Sequence, residues 1–566
     1  MEIRRREVPD VNLPGVPPLL QRLYAARAVT SPDELDYGLA KLIAPDELLH
    51  IDKAAQLLAD HLEKRILIIG DFDADGATSS AVGLLGLRAL GAQHVDYLVP
   101  DRFRFGYGLT PGIVALACER KPDLIITVDN GISSIAGVAA AHDADIKVLV
   151  TDHHLPGDEL PAADVIVNPN QPGDTFPSKS LAGVGVMFYV LLALRKHLRD
   201  ANRLEQEPNL AELLDLVALG TVADVVPLDA NNRRLVHHGL QRIRAGACRP
   251  GILALVEVAG RVRTTLTATD LAFAIGPRLN AAGRLEDMSI GIECLAVDDS
   301  NSALEYAQQL DALNRARRDI EQQMQAEALA AIESIEFGDA ELPLALCLHH
   351  PEWHQGVVGI VASRIKERFH RPVIAFAPED DGRELKGSAR SIHGVHMRDV
   401  LEAVSTRHPG LVTKFGGHAM AAGLSLPADG FETFTAALNE EVARWIDADA
   451  LRGVLHSDGE LAPEDIDLPV AEQLRDAGPW GQAFPEPLFD GVFEVVSRRI
   501  VGERHLKLRL RVPGDARQLD AIAFNEDGAG LPTGDIRIRA AYRLDINDFR
   551  GERNAQLIIE HLEAAG

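Results

Sequence analysis

Cysteine is scarce in this 566-residue chain: Cys118, Cys248, Cys294 and Cys347 lie far apart and form no C-x-x-C pair. That spacing excludes a disulfide scaffold and a zinc ribbon and suits a reducing compartment, so a cytoplasmic protein is expected. Long apolar runs are missing as well, and none approaches the ~20 residues of a membrane-spanning helix. The N-terminal MEIRRREVPDVNLPG has basic residues with no apolar segment behind them, so no signal peptide is expected. Positive charge is short too: 57 Lys and Arg face 84 Asp and Glu, a formal net charge of −27. Such a surface repels phosphate backbones at long range. Nucleic acid stays open as a substrate, but its contacts must come from local basic patches or bound cations. No internal repeat or low-complexity tract is present.

What is there is globular in composition, 46% hydrophobic and 25% charged. The length exceeds one ordinary core, so two to four domains are expected. RILIIG (65–70), LIITVDNG (124–131) and IKVLVTDHH (146–154) are apolar runs that end in glycine, acids or histidines, with helical stretches between them. Strands alternating with helices imply a parallel α/β sheet, in which ligands bind beyond the carboxyl ends of the strands. All three acid clusters fall at that edge. Residues 190–260 read as helical, and 301–335 contain no Gly or Pro and predict one long helix. A second α/β unit follows from 342, and beyond about 450 short alternating segments predict a small β-barrel.

The first acid cluster, GDFDADG (70–76), imitates the start of a calcium loop. Such a loop needs a bidentate Glu at its twelfth position and a helix before it. Counting from Asp71 the twelfth residue is Val82, and ILIIG before the motif reads as strand. The calcium loop fails on both counts. Alternate residues of an extended segment point the same way, so Asp71, Asp73 and Asp75 can converge on one site. Crowded acids repel, and a divalent cation is the natural compensation. Asp129 ends the second strand, Asp152, His153 and His154 end the third, and Asp224 lies among apolar residues in GTVADVVPL. These are too many acids for one ion. Two Mn²⁺ or Mg²⁺ ions sharing a carboxylate are the standard arrangement for displacement at phosphorus. His350-Pro-Glu352-Trp-His354 has the wrong spacing for a zinc-peptidase helix and contains a proline, so that reading is rejected.

GDFDADG, TVDNG, VTDHH and GTVADVVPL, in this order, resemble the DHH phosphoesterases, named for the Asp152–His153–His154 triplet. FGGHAMAAG (415–423) and GSARS (387–391) resemble the associated DHHA1 domain. PPLLQRLYAAR (17–27), PDRFRFGYGL (100–109), GPRLNAAGRL (276–285), HQGVVGIVASRI (354–365) and GPWGQAFPEPLFDG (478–491) extend the resemblance along the chain, toward the single-strand-specific exonucleases of the family. The resemblance implies an α/β multidomain protein. It would comprise an N-terminal segment and parallel-sheet DHH domain over 1–300, a connecting helix over 301–338, a smaller α/β DHHA1 domain over 339–450 and an OB-like barrel over 451–566.

It also implies site residues. Asp73, supported by Asp71, would hold a first metal, and Asp75, His153 and Asp224 a second, with Asp129 bridging both. His154 would face the substrate phosphate and His418 would supply charge to it. Arg278 and Asn280 would contact the scissile region, while Ser388, Arg390 and Arg102 would receive a terminal 5′ phosphate. The reaction implied is 5′→3′ hydrolysis of single-stranded DNA to 5′-mononucleotides in DNA repair and recombination. The chain would be a monomer, with a single-strand-binding protein and a RecQ-type helicase as partners and no membrane. Phe524, Tyr542 and Phe549 are the barrel aromatics available for base stacking or core packing. Pyrophosphatases of this family begin the first motif with an H-x-x-x-D-x-D pattern that is absent, and a catalytically silent scaffold would lack acids that are all present.

Overall fold

The computed structural model describes residues 2–100, 105, 107–334, 342–379, 382–446, 451, 453–502, 505–524, 526, 537–549 and 551–565, with backbone alone at 331–334 and 549. The chain divides into two compact units: Arg5–Asn314 with His456–Gly566, and Met1–Arg4 with Arg315–Leu455.

In the larger unit the apolar runs become parallel strands. Arg65–Gly70 (β1), His94–Leu98 (β2), Leu124–Val128 (β3), Lys147–Thr151 (β4) and Val165–Val167 (β5) pair in the order β2-β1-β3-β4-β5. Every residue of β3 and β5 is buried, as expected of a sheet covered on both faces. The strand order reverses between β1 and β3, and a crevice opens at such a reversal beyond the carboxyl ends. Helix α1 (Ala74–Ala89) is buried along most of its length and is built from small residues, so α2 (Gly183–Asp200) and α3 (Leu214–Ala223) pack closely on it. Close approach is required at Gly220, where a Cβ would lie 2.1 Å from Thr78 Oγ1. Helix α4 (Gly276–Leu285) lies against the start of α1, and the Gly- and Pro-free stretch forms one helix of 35 residues, α5 (Ser300–Ser334), which passes from one unit into the other.

The smaller unit holds a mixed sheet of Leu346–His349 (β6), Val373–Pro378 (β7), Glu384–Arg390 (β8), Lys414–Gly417 (β9) and Ala421–Pro427 (β10), in the order β9-β10-β8-β7-β6. Only β6 and β7 run parallel. Helix α6 (Val358–Phe369) packs on one face of the sheet.

The C-terminal segments close into a five-stranded barrel of Phe489–Val501 (β11), His505–Arg511 (β12), Leu519–Ala523 (β13), Arg537–Phe549 (β14) and Glu552–Ala564 (β15). Its apolar interior, including Phe493, Leu508 and Tyr542, is continuous with the core beneath the parallel sheet. Barrel and sheet therefore form one body, although the sequence separates them by other structure. Among the described residues no helix is long and apolar enough to cross a membrane.

Candidate metal centre and active site

The first acid loop leaves β1 at Gly70 and enters α1. Asp73 is the N-cap of α1, accepting the Gly76 N–H at 3.0 Å, the role a short acidic side chain fills best at a helix start. Asp75 lies in the first turn and is buried. Its two oxygens accept the Gly183 N–H at 2.7 Å and the Val184 N–H at 3.0 Å, both from the open amino terminus of α2. Asp71 accepts the Phe72 N–H at 2.8 Å. Asp129 follows β3 with φ of 61°, a left-handed conformation unusual for a residue with a Cβ, while its N–H donates to the Thr151 carbonyl at 3.1 Å. A Cβ at Gly183 would come within 2.7 Å of Asp129 Oδ1, so glycine is what lets α2 meet this carboxylate. Asn130 ties the strand ends together, donating to the Ile69 carbonyl at 3.1 Å and the Val128 carbonyl at 2.9 Å.

Three strand ends and the C-terminus of α3 thus converge. His153 Nε2 lies 3.1 Å from Asp129 Oδ1, 3.5 Å from Asp224 Oδ2 and 3.9 Å from Asp75 Oδ2. Asp71, Asp73 and Asp129 form one cluster of donor atoms mutually within 4.8 Å, and Asp75, His153 and Asp224 form another. Asp129 Oδ1 and His153 Nε2 are buried without a hydrogen-bond partner among the described residues. Burial first, and then the charges of neighbouring acids, push Asp75 up to about 7 and raise Asp129 and Asp224 well above the carboxylate range. Burial, reinforced by His154, lowers His153 to about 4 and keeps it neutral, the form with a free lone pair. Orphaned donor atoms, repelling acids and a neutral imidazole all fit divalent cations. The two clusters could hold two ions with Asp129 between them.

Asp152 is no part of either cluster. It is buried and accepts the N–H groups of Ile132 (2.9 Å), His153 (2.7 Å) and His154 (3.1 Å), and it bonds His154 Nδ1 at 2.8 Å. Burial opposes charge on His154, but the Asp152 bond outweighs it and pushes the imidazole up to about 9. Tyr107, within PDRFRFGYGL, is a site residue that the sequence pattern alone does not single out, and it joins this arrangement. Its hydroxyl donates to the Asp129 carbonyl at 3.1 Å and lies 3.2 Å from His154 Nδ1. Its ring is edge-on to Phe72 and His154, while the residue as a whole stays about half exposed, at 49%.

The expected substrate residues divide. Asn280 is at the acid loop, its Oδ1 accepting the Ala74 N–H at 2.8 Å. Arg278 is buried, and its guanidinium bonds Asp311 on α5 at 2.8 Å and 2.9 Å and also the Ala274 carbonyl. A buried arginine needs such a partner, and the sequence alone does not reveal that α5 provides it. Ser388 and Arg390 share one face of β8, with Arg390 Nη1 donating to Ser388 Oγ at 3.0 Å beside Gly359 in the first turn of α6. His418 is exposed in the turn between β9 and β10, its N–H donating to the Ala421 carbonyl at 2.8 Å. Arg102 and the Phe549 side chain lie outside the described residues. Tyr542 is buried in the barrel, whereas Phe524 is 54% exposed and touches the His505 ring.

Residues 65–221 match the DHH family, N-terminal domain, 342–444 match the DHHA1 domain and 457–561 match the RecJ OB domain. The "Single-stranded-DNA-specific exonuclease RecJ" of Escherichia coli (strain K12) is 56% identical over 571 residues, covering 99% of each chain. Its namesake from Dickeya dadantii (strain 3937) is 57% identical over 569 residues, again with 99% of each chain. The crystal structure of RecJ in complex with Mn²⁺ from Thermus thermophilus has a TM-score of 0.81 at 32% identity, covering 97% of this chain and 76% of that one. The Mg²⁺ complex from the same organism has a TM-score of 0.75 at 30% identity, covering 97% of this chain and 75% of that one. The fold and its acid-lined crevice therefore define a DHH phosphoesterase with DHHA1 and OB domains. Within that class the chain belongs to the RecJ family.

Proposed function

We propose that this chain is a single-stranded-DNA-specific exonuclease that works from the 5′ end and releases 5′-mononucleotides, in the cytoplasm, in DNA repair and recombination. The observation that carries the reading is the set of overlapping donor clusters around Asp129, which belongs to two of them and lies 3.1 Å from His153 of the third, where the strand order of the sheet reverses. Asp71, Asp73 and Asp129 would hold one divalent ion, and Asp75, Asp129, His153 and Asp224 the other. Bound Mn²⁺ or Mg²⁺ supplies Lewis-acid charge to the phosphodiester and to water. The chain's own residues do the placing. Asp152 and Tyr107 fix His154 toward a phosphate oxygen, and Asn280 holds the acid loop through Ala74. His418 supplies charge to the phosphate. Ser388 and Arg390 receive a terminal phosphate, a task suited to the forked donors of Arg beside a helix amino terminus.

A single-strand-binding protein and a RecQ-type helicase are the proposed partners, and the chain is proposed to act as a monomer. The test is one assay on end-labelled single- and double-stranded DNA and RNA, with Mn²⁺, with Mg²⁺ and with chelator. Metal-dependent mononucleotides from the 5′ end of single-stranded DNA alone are expected. Products from duplexes, from RNA or from the 3′ end would overturn the reading.

A further inference from the structure

The acids sit beyond the carboxyl ends of β1, β3 and β4, and the opposite ends of the same sheet carry the reverse charge. Arg65 opens β1 and is paired with His94, which opens β2. The turn before β3 is tied to this point, because the Arg65 N–H donates to Asp123 Oδ2 at 2.9 Å and the Asp123 N–H returns to the Arg65 carbonyl at 2.8 Å. Arg88, in the last turn of α1, reaches the Val95 carbonyl at 3.3 Å. Arg120 bonds Asp96 Oδ2 at 2.7 Å and the Tyr97 carbonyl at 2.6 Å. Together they line a mainly polar cleft of about 420 Å³, with the buried Ile66, Val95 and Pro122 behind them.

Arg65, Arg88, His94 and Arg120 are exposed along the cleft, and Lys64 and Lys121, each next in sequence to a lining arginine, are exposed too, on a chain whose net charge is −27. Of the neighbouring acids, Asp96 is paired with Arg120 and Asp123 accepts the Arg65 N–H, leaving Glu63 and Glu119 as exposed counter-charges. Lys64, Arg65, His94 and Lys121 take part in no ion pair among the described residues. The length of β1 separates the cleft from Asp71, about 20 Å of extended chain, so one mononucleotide cannot touch both ends.

We propose that this cleft is a second site that binds a free nucleotide through its phosphates, remote from the acids. The volume falls in the range of small-molecule sites. The Arg65 guanidinium has no bond among the described residues and offers its forked donors to phosphate oxygens, Arg88 and Arg120 add charge beside it, and a guanidinium plane gives a base a face to stack on. The site owes nothing to the metal residues.

The experiment titrates a fluorescent dATP analogue into the full chain in chelator, with dATP, dAMP, inorganic tripolyphosphate and oligothymidylate as competitors. Saturable binding is expected in the wild type and in Asp129→Ala. In Lys64→Ala/Arg65→Ala affinity should fall by about tenfold or more, the loss of charge-assisted hydrogen bonds. That double variant should keep its circular dichroism and its rate on labelled single-stranded DNA. Absence of saturable binding, or equal affinity in the double variant, would overturn the proposal. So would tripolyphosphate competing as well as dATP, which would mean a phosphate-only site, or competition by oligothymidylate alone, which would mean a nucleic-acid track.

Discussion

Asp129 combines a left-handed backbone, full burial and a carboxylate with an unpartnered oxygen. Left-handed backbone costs about 1–2 kcal/mol at a residue with a Cβ, and the bond from its N–H to Thr151 helps to hold it. Gly183 is the complement, since any side chain there meets the same carboxylate at 2.7 Å. Gly183→Ala is therefore expected to lower stability by about 1–3 kcal/mol, as overpacking does, and to cut metal-dependent turnover in parallel. Denaturant unfolding and a single-stranded-DNA assay on one preparation check both effects. Arg390 offers a separate test, because it bonds Ser388 and belongs to neither acid cluster. Arg390→Ala should reduce the preference for 5′-phosphorylated over 5′-hydroxyl ends while Mn²⁺ affinity is unchanged. Equal loss of rate on both ends would remove Arg390 from end recognition.

At the scale of elements, the sequence shows best what depends on local pattern. Apolar runs ending in acids mark β1, β3 and β4 because a buried parallel strand is continuous in hydrophobicity and its ligands follow its last residue. The long α5 is legible because nothing in it interrupts a helix. Partnerships between distant elements are not legible. Arg278 with Asp311, Asn280 with the Ala74 N–H and Asp75 with the amino terminus of α2 depend on packing that no local pattern encodes. Tyr107 was hidden for the same reason, since its hydroxyl acts on groups 22 and 47 residues away.

One such partnership has a pH signature. Asp490, at the start of β11, accepts from Arg5, Ser457 and Arg539. Burial works to raise its pKa, but these hydrogen bonds hold it below the ordinary carboxylate value. A depressed folded-state pKa means that the stabilisation is present above the unfolded value of about 4 and is lost as pH falls through the folded one. Thermal unfolding of the wild type should therefore weaken below about pH 4, and Asp490→Asn should be less stable at pH 7 and show a shallower loss on acidification. Identical pH profiles for the two proteins would show that the bonds from Arg5, Ser457 and Arg539 to Asp490 add no stability.

For the whole molecule the decisive fact is the shared core of barrel and parallel sheet. Tyr24 donates to the Ala477 carbonyl at 2.8 Å, Trp480 stacks on Phe484 with centroids 5.1 Å apart, and Arg27 pairs with Asp458 at 2.9 Å where both side chains are 1% exposed. Removing residues 456–566 would strand Arg27 without its carboxylate and expose the apolar surface under the sheet. That deletion should give insoluble or unfolded protein, judged by soluble yield and circular dichroism. Residues 315–455, with apolar clusters of their own, should yield a soluble folded fragment. The central claim, two ions sharing one carboxylate in an exonuclease site, is tested most directly by Asp129→Ala assayed for 5′-mononucleotide release from labelled single-stranded DNA in Mn²⁺. The predicted result is a protein with native circular dichroism and turnover reduced by about a thousandfold or more, the scale expected when electrostatic stabilisation at phosphorus is lost. Folded Asp129→Ala turning over at the wild-type rate would contradict the account.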